Sequence, residues 1–281
     1  MKKHVTTILL ILLFFVGLGL ILYPTFSNWW NSFHSSKAIN AYSDMVANLD
    51  EDQYEEILAA AHDFNASRLT EGTSFSMSPE QKELYPDLLN VGGDGIIGYI
   101  EIPSIGVALP IYHGTEERIL QVAVGHLDWS SFPIGGESTH SVLSGHRGLP
   151  SARLFTDLDD LREGDLFMIR VLGELLTYEV DQILIVDPTD VDSLKVEQGK
   201  DLCTLVTCTP YGINTHRLLV RGHRVENTPE TELIRITANA VPLDPMIVAV
   251  IVAVPLMVLA IILLISGSRW RNRRNKRNRR Y

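Results

Sequence analysis

The chain has 281 residues, 46% of them hydrophobic and 21% charged, which is room for one sizeable globular domain plus accessories. Its formal charge of -10 conceals a partition: Lys2, Lys3 and eight basic residues from Arg269 to Arg280 are ten of the 24 Lys and Arg, whereas all 34 Asp and Glu lie between Asp44 and Asp244. The middle of the chain is left with 14 basic against 34 acidic residues, a balance of -20 that disfavours a nucleic-acid partner.

Residues 1–4 carry two lysines and lead into Val5 to Leu22, eighteen uncharged residues that just suffice to cross a bilayer. A cleaved signal peptide is the alternative to a membrane anchor. No small-x-small cleavage site follows, and Tyr23-Pro24 and Trp29-Trp30 suit an interfacial aromatic belt, so an uncleaved anchor is favoured. Near the other end Met246 to Ile265 is a second uncharged run, of twenty residues, with the basic tail 266–281 directly behind it. The positive-inside rule makes both ends cytoplasmic and puts Ser27 to about Leu243 outside, in a two-span cell-membrane protein. The tail's place behind a span argues for a topology and anionic-lipid role over a nucleic-acid patch.

Between the spans, 23–65 is expected to be helical: Ala38, Ile39, Tyr42, Val46 and Leu49 recur at helical spacing, and Tyr54, Ile57, Leu58 and Ala61 do so after a break at Asp50, where Gln53 could reach back to cap. Residues 66–95 are rich in Ser, Thr, Gly and Pro and read as a surface loop. From Ile96 to about residue 225 the pattern is short apolar runs punctuated by turn residues: Ile96 to Ile102, Val107 to Tyr112, Ser141 to Leu143, Leu166 to Val171, Glu174 to Val186, Leu202 to Cys208 and Leu218 to Arg221. Many short strands of this kind argue for a mainly β, closed antiparallel barrel, with Arg118 to Val124 and Ala152 to Leu158 as short helices and 226–245 as a linker.

The chemistry concentrates at Leu202 to Arg224. Leu202 to Thr207 reads as a buried strand that Cys208 closes; Pro210, Gly212 and Asn214 force a turn, and Arg217 begins the returning strand. A hairpin would set thiol and guanidinium side by side at one end of the sheet, a nucleophile with a cationic neighbour. The proton partner would be His146, in the glycine-flanked turn Ser144-Gly145-His146-Arg147-Gly148 after a short strand. His216 and His223 flank the Arg217 strand, but His216 is adjacent to Arg217 and should point to the other face.

Thr204-Leu205-Val206-Thr207-Cys208, followed by Arg217 and preceded by the His146 turn, resembles the sortase signature of a TLxTC strand with catalytic Cys, His and Arg. The resemblance covers roughly residues 90 to 225, including Gly95 to Pro103 and Thr207 to Gly212, and with a membrane segment at each end it is most similar to class C, the pilin-polymerising sortases of Gram-positive bacteria. It implies an eight-stranded barrel with Cys208, His146 and Arg217 at one rim, and partners that are pilins bearing LPxTG-type sorting signals and acceptor lysines, besides membrane lipid. The reaction implied is transpeptidation through a Cys thioester; a hydrolytic thiol peptidase and a non-enzymatic barrel adhesin are the alternatives. Class C sortases commonly carry an Asp-Pro-aromatic lid before the barrel. Here the nearest stretch is Ser74-Phe75-Ser76-Met77-Ser78-Pro79, from which a loop that covers the thiol by Phe75 and Met77 alone is expected.

No cofactor is expected. His113, His126 and His140 could be imagined with His146 as metal ligands, but none forms a tight ligand pair on one helix. Cys203 and Cys208 stand five positions apart, roughly 16 Å along a strand, too far for a disulfide. Cys203 is then a small buried hydrophobe and Cys208 is free.

Overall fold

The computed structural model describes residues 2–70, 75–229, 231, 248 and 252–255. Two compact units divide the chain, residues 1–241 and 242–281. The expected span Met246 to Ile265 and the basic tail lie almost entirely outside the described residues, as does most of the 226–245 linker.

Eight strands form the barrel: β1 (Ile96–Ile102), β2 (Val107–His113), β3 (Val124–His126), β4 (Thr139–Ser144), β5 (Leu166–Val171), β6 (Glu174–Val186), β7 (Asp201–Thr209) and β8 (His216–Val225). They close in the order β1-β2-β3-β4-β7-β8-β6-β5. Neighbours are antiparallel except β2 with β3 and β4 with β7, which run parallel. The expected closed eight-stranded barrel is thus present, though not purely antiparallel. Inward residues such as Ile100, Ile102, Leu143, Phe167, Leu205 and Val220 are fully or almost fully buried and make one core. All seven β1 residues are buried, which fits a near-continuous apolar run covered on both sides.

The outer cover is helical. α1 (Lys2–Ala47) is one helix that runs through Pro24, and α2 (Glu51–Thr70) follows after a short break. Tyr23-Pro24 therefore does not end the first helix: proline removes one backbone donor, a loss that apolar helices accommodate. Asp50 caps α2, its Oδ1 accepting from the Gln53 amide at 2.8 Å, with Gln53 reaching back to the Asp50 amide. Among the described residues one helix, over Ile11–Ala47, is long and apolar enough to cross a membrane.

Two sequence expectations need correction in this part of the chain. Arg118 to Val124 is not one helix; α4 occupies Glu117–Leu120, and Val124 begins β3, a strand of three residues. Ala152 to Leu158 is not helical either: Leu149 and Ala152 form an isolated bridge, and a single 3-10 turn covers Leu158–Asp160.

Candidate active site

β4 and β7 run side by side in the same direction, with Ser144 opposite Val206. Past that pair the Gly145 amide donates to Val206 O at 3.0 Å, and Thr207 Oγ1 donates to Gly145 O at 2.7 Å. These two bonds hold the end of β4 against the end of β7. Two residues beyond the Ser144–Val206 pair stand His146, in the turn past the end of β4, and Cys208, still on β7. Glycine is required before the histidine, because a side chain at Gly145 would meet the Phe155 ring at 2.7 Å.

On the other side of β7, Cys208 is the direct antiparallel partner of Arg217 on β8. Opposed residues of such a pair emerge on the same face. Cys208 is free and half-buried, and Arg217 is half-buried with its Nη1 donating to His216 O at 3.1 Å. Among the described residues no carboxylate pairs with Arg217 and no hydrogen bond reaches the Cys208 sulfur. The turn between β7 and β8 is built by Pro210 O, which accepts from the Ile213 and Asn214 amides, and by Gly212 and Asn214, both at positive φ.

His146 is a quarter exposed, and its Nε2 lies 3.4 Å from Glu117 Oε2 of α4. The Glu117 carboxyl is held below the usual carboxylate range by hydrogen bonds from Gln121 and then from His146. The structure therefore brings Cys208, Arg217 and the His146 turn to one rim, with the imidazole resting on Glu117.

The next residue carries a partner set that the sequence reading did not single out. Arg147 is almost fully buried; it ion-pairs with Asp159, donates to Thr209 Oγ1 at 3.4 Å, and stands 5.9 Å from the Tyr211 ring centroid. It joins the His146 turn to the end of the Cys208 strand and to the turn that follows it. Gly148 at φ +77 lies under the same ring, where a Cβ would come within 3.0 Å of it. The motif's threonines were likewise read only as β-branched: Thr204 Oγ1 bonds His140 Nε2 at 2.7 Å, and Thr207 makes the Gly145 bond above.

The other histidines are built into the barrel wall. His126 is fully buried between Tyr85 OH at 2.9 Å and Ser131 O at 2.9 Å, and burial pushes it down to about 3. Burial also lowers His140, which spans Lys195 O and Thr204, and His113, whose Nε2 contacts Leu88 O at 2.7 Å. His216 is exposed, at 3.8 Å from Asp187. Cys203 is fully buried, and that burial raises its thiol well above the ordinary range.

The expected loop over the thiol is not seen in residues 75–95. Phe75 packs edge-on against Trp129 with centroids 5.0 Å apart, and Met77 joins the barrel core. Trp129 sits between Leu127, bonded to Val142, and Ser131, bonded to His140. Phe75 is thus level with the first half of β4, roughly 13–20 Å before His146 at the usual rise per strand residue. Apolar partners on the barrel wall have taken both residues. Ser78 caps a short helix, α3 (Pro79–Leu84), with a reciprocal Gln81 bond, and Tyr85 closes the segment onto His126. None of the described residues 75–95 hydrogen-bonds to or stacks on Cys208, His146 or Arg217.

The profile of the Sortase domain family matches residues 100–225. Curated relatives include Sortase D of Bacillus subtilis, 34% identical over 131 residues that make 46% of this chain and 63% of that one. Sortase A of Bacillus anthracis is 25% identical over 224 residues, 80% of this chain and 96% of that one. Among solved structures, sortase C1 of Streptococcus agalactiae is 52% identical with a TM-score of 0.67, covering 68% of this chain and all of that one. Sortase C of Streptococcus pneumoniae is 42% identical with a TM-score of 0.62, over 68% of this chain and 98% of that one.

Proposed function

From the premise that the chain belongs to the sortase family of cysteine transpeptidases, in its class C branch, we propose that it is anchored in the cell membrane and joins pilin subunits through their sorting signals. The Cys208 thiolate attacks the threonyl carbonyl of an LPxTG-type motif. His146 protonates the departing glycyl amine, leaving an acyl-thioester on Cys208. A pilin lysine amine then adds to the thioester carbonyl, His146 takes its proton, and the thiol leaves as an isopeptide bond forms. Arg217 orients the peptide and offsets the oxyanion charge of both tetrahedral intermediates.

The observation that supports these roles is the pairing of a free thiol with a guanidinium that no carboxylate neutralises among the described residues, Cys208 with Arg217, beside the turn after β4 that carries His146. The S. pneumoniae relative is described in connection with pilin substrate specificity, which favours a pilin as substrate here. The membrane reading rests on the apolar helix over Ile11–Ala47, with Ser27 to about Leu243 outside, a second span over Met246 to Ile265 and both termini in the cytoplasm.

Incubation with an LPxTG peptide and a lysine-bearing pilin domain tests the activity. The expected product is the isopeptide-linked pair by mass. Free carboxylate product alone would mean that water, not an amine, resolves the thioester.

A further inference from the structure

α1 packs on the barrel, and its contacts say which end of the barrel it approaches first. At its distal end Tyr42 OH donates to Ile97 O at 3.0 Å and accepts from the Leu172 amide at 2.9 Å, at the start of β1 and the end of β5. Ser35, Ile39 and Tyr42 are buried against the β1–β2 face. Eleven residues earlier, roughly 17 Å along a helix, Asn31 Nδ2 donates to Ser151 O at 2.7 Å and Asn28 Oδ1 accepts from the Arg153 amide at 2.9 Å. Ser151 and Arg153 belong to the loop that leaves the His146 turn. Coming out of its apolar stretch, α1 therefore meets the rim of Cys208, His146 and Arg217 first and the far end of the barrel second.

The helix surface at that level has the character of a lipid interface. Phe26, Trp30 and Phe33 are each about half exposed, and Phe26–Trp30 and Trp29–Phe33 stack at 6.4 and 6.3 Å. Aromatics of this kind gather where the hydrocarbon meets the headgroups. From Leu22 to Asn31 is roughly 14 Å of helix, against a headgroup layer of roughly 5–8 Å on each side of the hydrocarbon. Asn28 stands roughly 9 Å past Leu22, so the loop docked on Asn28 and Asn31 starts near the outer edge of the headgroups and extends roughly 6 Å or more beyond it. Next to it the β7–β8 turn exposes two apolar side chains, Tyr211 and Ile213, at 60% and 68%. Tyr211 lies over Gly148, three residues from Ser151.

We propose that the Cys208 rim faces the bilayer and that Tyr211 and Ile213 rest on the headgroups of the membrane in which α1 is inserted. The partner is a lipid surface, continuous with the apolar face of α1, and the inference rests on reading α1 as a span. Salt bridges Arg118–Glu116 and Arg153–Asp157 pair charges around the rim and, among the described residues, leave Arg217 as a guanidinium without a carboxylate, so the approach is set by the helix and the apolar tips more than by lipid charge. A donor peptide reaches Cys208 through the gap between rim and headgroups, which favours chains tethered in the same membrane.

The test uses the full chain in the Cys208→Ala background, reconstituted in phosphatidylethanolamine and phosphatidylglycerol vesicles that carry a nitroxide-headgroup lipid. A fluorophore is placed on Ile213→Cys or, at the opposite end of β7, on the exposed Gln198→Cys. Several-fold stronger quenching at 213 than at 198 is expected. Equal quenching, or the reverse order, in protein that stays with the vesicles through a carbonate wash overturns the orientation while leaving the anchor intact. Protein released by the wash overturns the anchor and this proposal with it.

Discussion

Cys208 and Arg217 are register partners across the β7–β8 ladder, and among the described residues Arg217 has no carboxylate to neutralise it. A guanidinium in that position is available to a developing oxyanion. Arg217→Ala should lower kcat/KM by roughly 10²-fold or more, the usual cost of one lost oxyanion donor. Arg217→Lys should recover only part, because an ammonium lacks the planar fork. A fully active Arg217→Lys enzyme, measured by peptide cleavage, would reduce the arginine to a point charge.

Cys208→Ala should form no thioester with a sorting peptide and should keep its melting temperature, since a half-buried rim thiol adds little packing. Retained transfer by that variant would sink the assignment of the nucleophile.

His146→Ala should cost roughly 10²–10⁴-fold in transfer, the range of a general acid-base contribution. Glu117, with which the imidazole pairs, is mostly exposed. Glu117→Gln is therefore expected to change the rate only a few-fold. A loss as deep as that of His146→Ala, read from single-turnover acylation, would make Glu117 an orienting partner of the first importance.

Arg147 couples both halves of the rim from an almost fully buried position, while its partner Asp159 is about half exposed. Asp159→Asn strands a buried guanidinium and should cost about 1–3 kcal/mol, below the full penalty for a deeply buried pair because solvent reaches one side. Arg147→Ala should in addition raise KM by loosening the Tyr211 turn. Unchanged urea midpoints for both variants would refute the clamp.

Stability should fall on acidification. His126 is neutral in the fold down to about 3, whereas the unfolded chain protonates it near its ordinary value of about 6.5. The unfolded state thus binds the extra proton between those values: stability is full above about 6.5 and declines as pH falls through the interval. By pH 5 this one residue should cost about 2 kcal/mol, at about 1.4 kcal/mol per pH unit. His113 and His140, also lowered by burial, act in the same direction. Urea midpoints identical at neutral pH and at pH 5 would contradict a neutral buried imidazole.

Much of the barrel was legible because its strands are apolar runs bounded by glycine and proline; β1, β5 and β6 have the bounds read from sequence. The Cys208–Arg217 pairing was legible for the same reason, since Pro210, Gly212 and Asn214 leave little but a tight return. β3 was not, because Val124-Gly125-His126 is too short to show alternation and its pairing with β2 is long-range. The sequence reading divided the apolar run to Leu22 from the helical segment that follows, whereas one helix runs through both and through Pro24. The segment 66–95 misled differently: its composition said loop, but where Phe75 settles depends on Trp129, over fifty residues away, which no local pattern reveals. Arg147 was hidden because an arginine in a turn ordinarily faces water, and only Asp159, Thr209 and Tyr211 together make its burial tolerable.

The bond from Thr207 to Gly145 joins residues 62 apart in the chain, and it belongs to a parallel pair that no hairpin can nucleate. Closing so long a loop before any reward arrives is the slow kind of step in folding. Thiol, imidazole and guanidinium meet only when β4, β7 and β8 have all been laid down and closed on one another. Until then Cys208 stands apart from the imidazole and the guanidinium, and the arrangement proposed for acyl transfer arrives in one late event, together with the completed barrel.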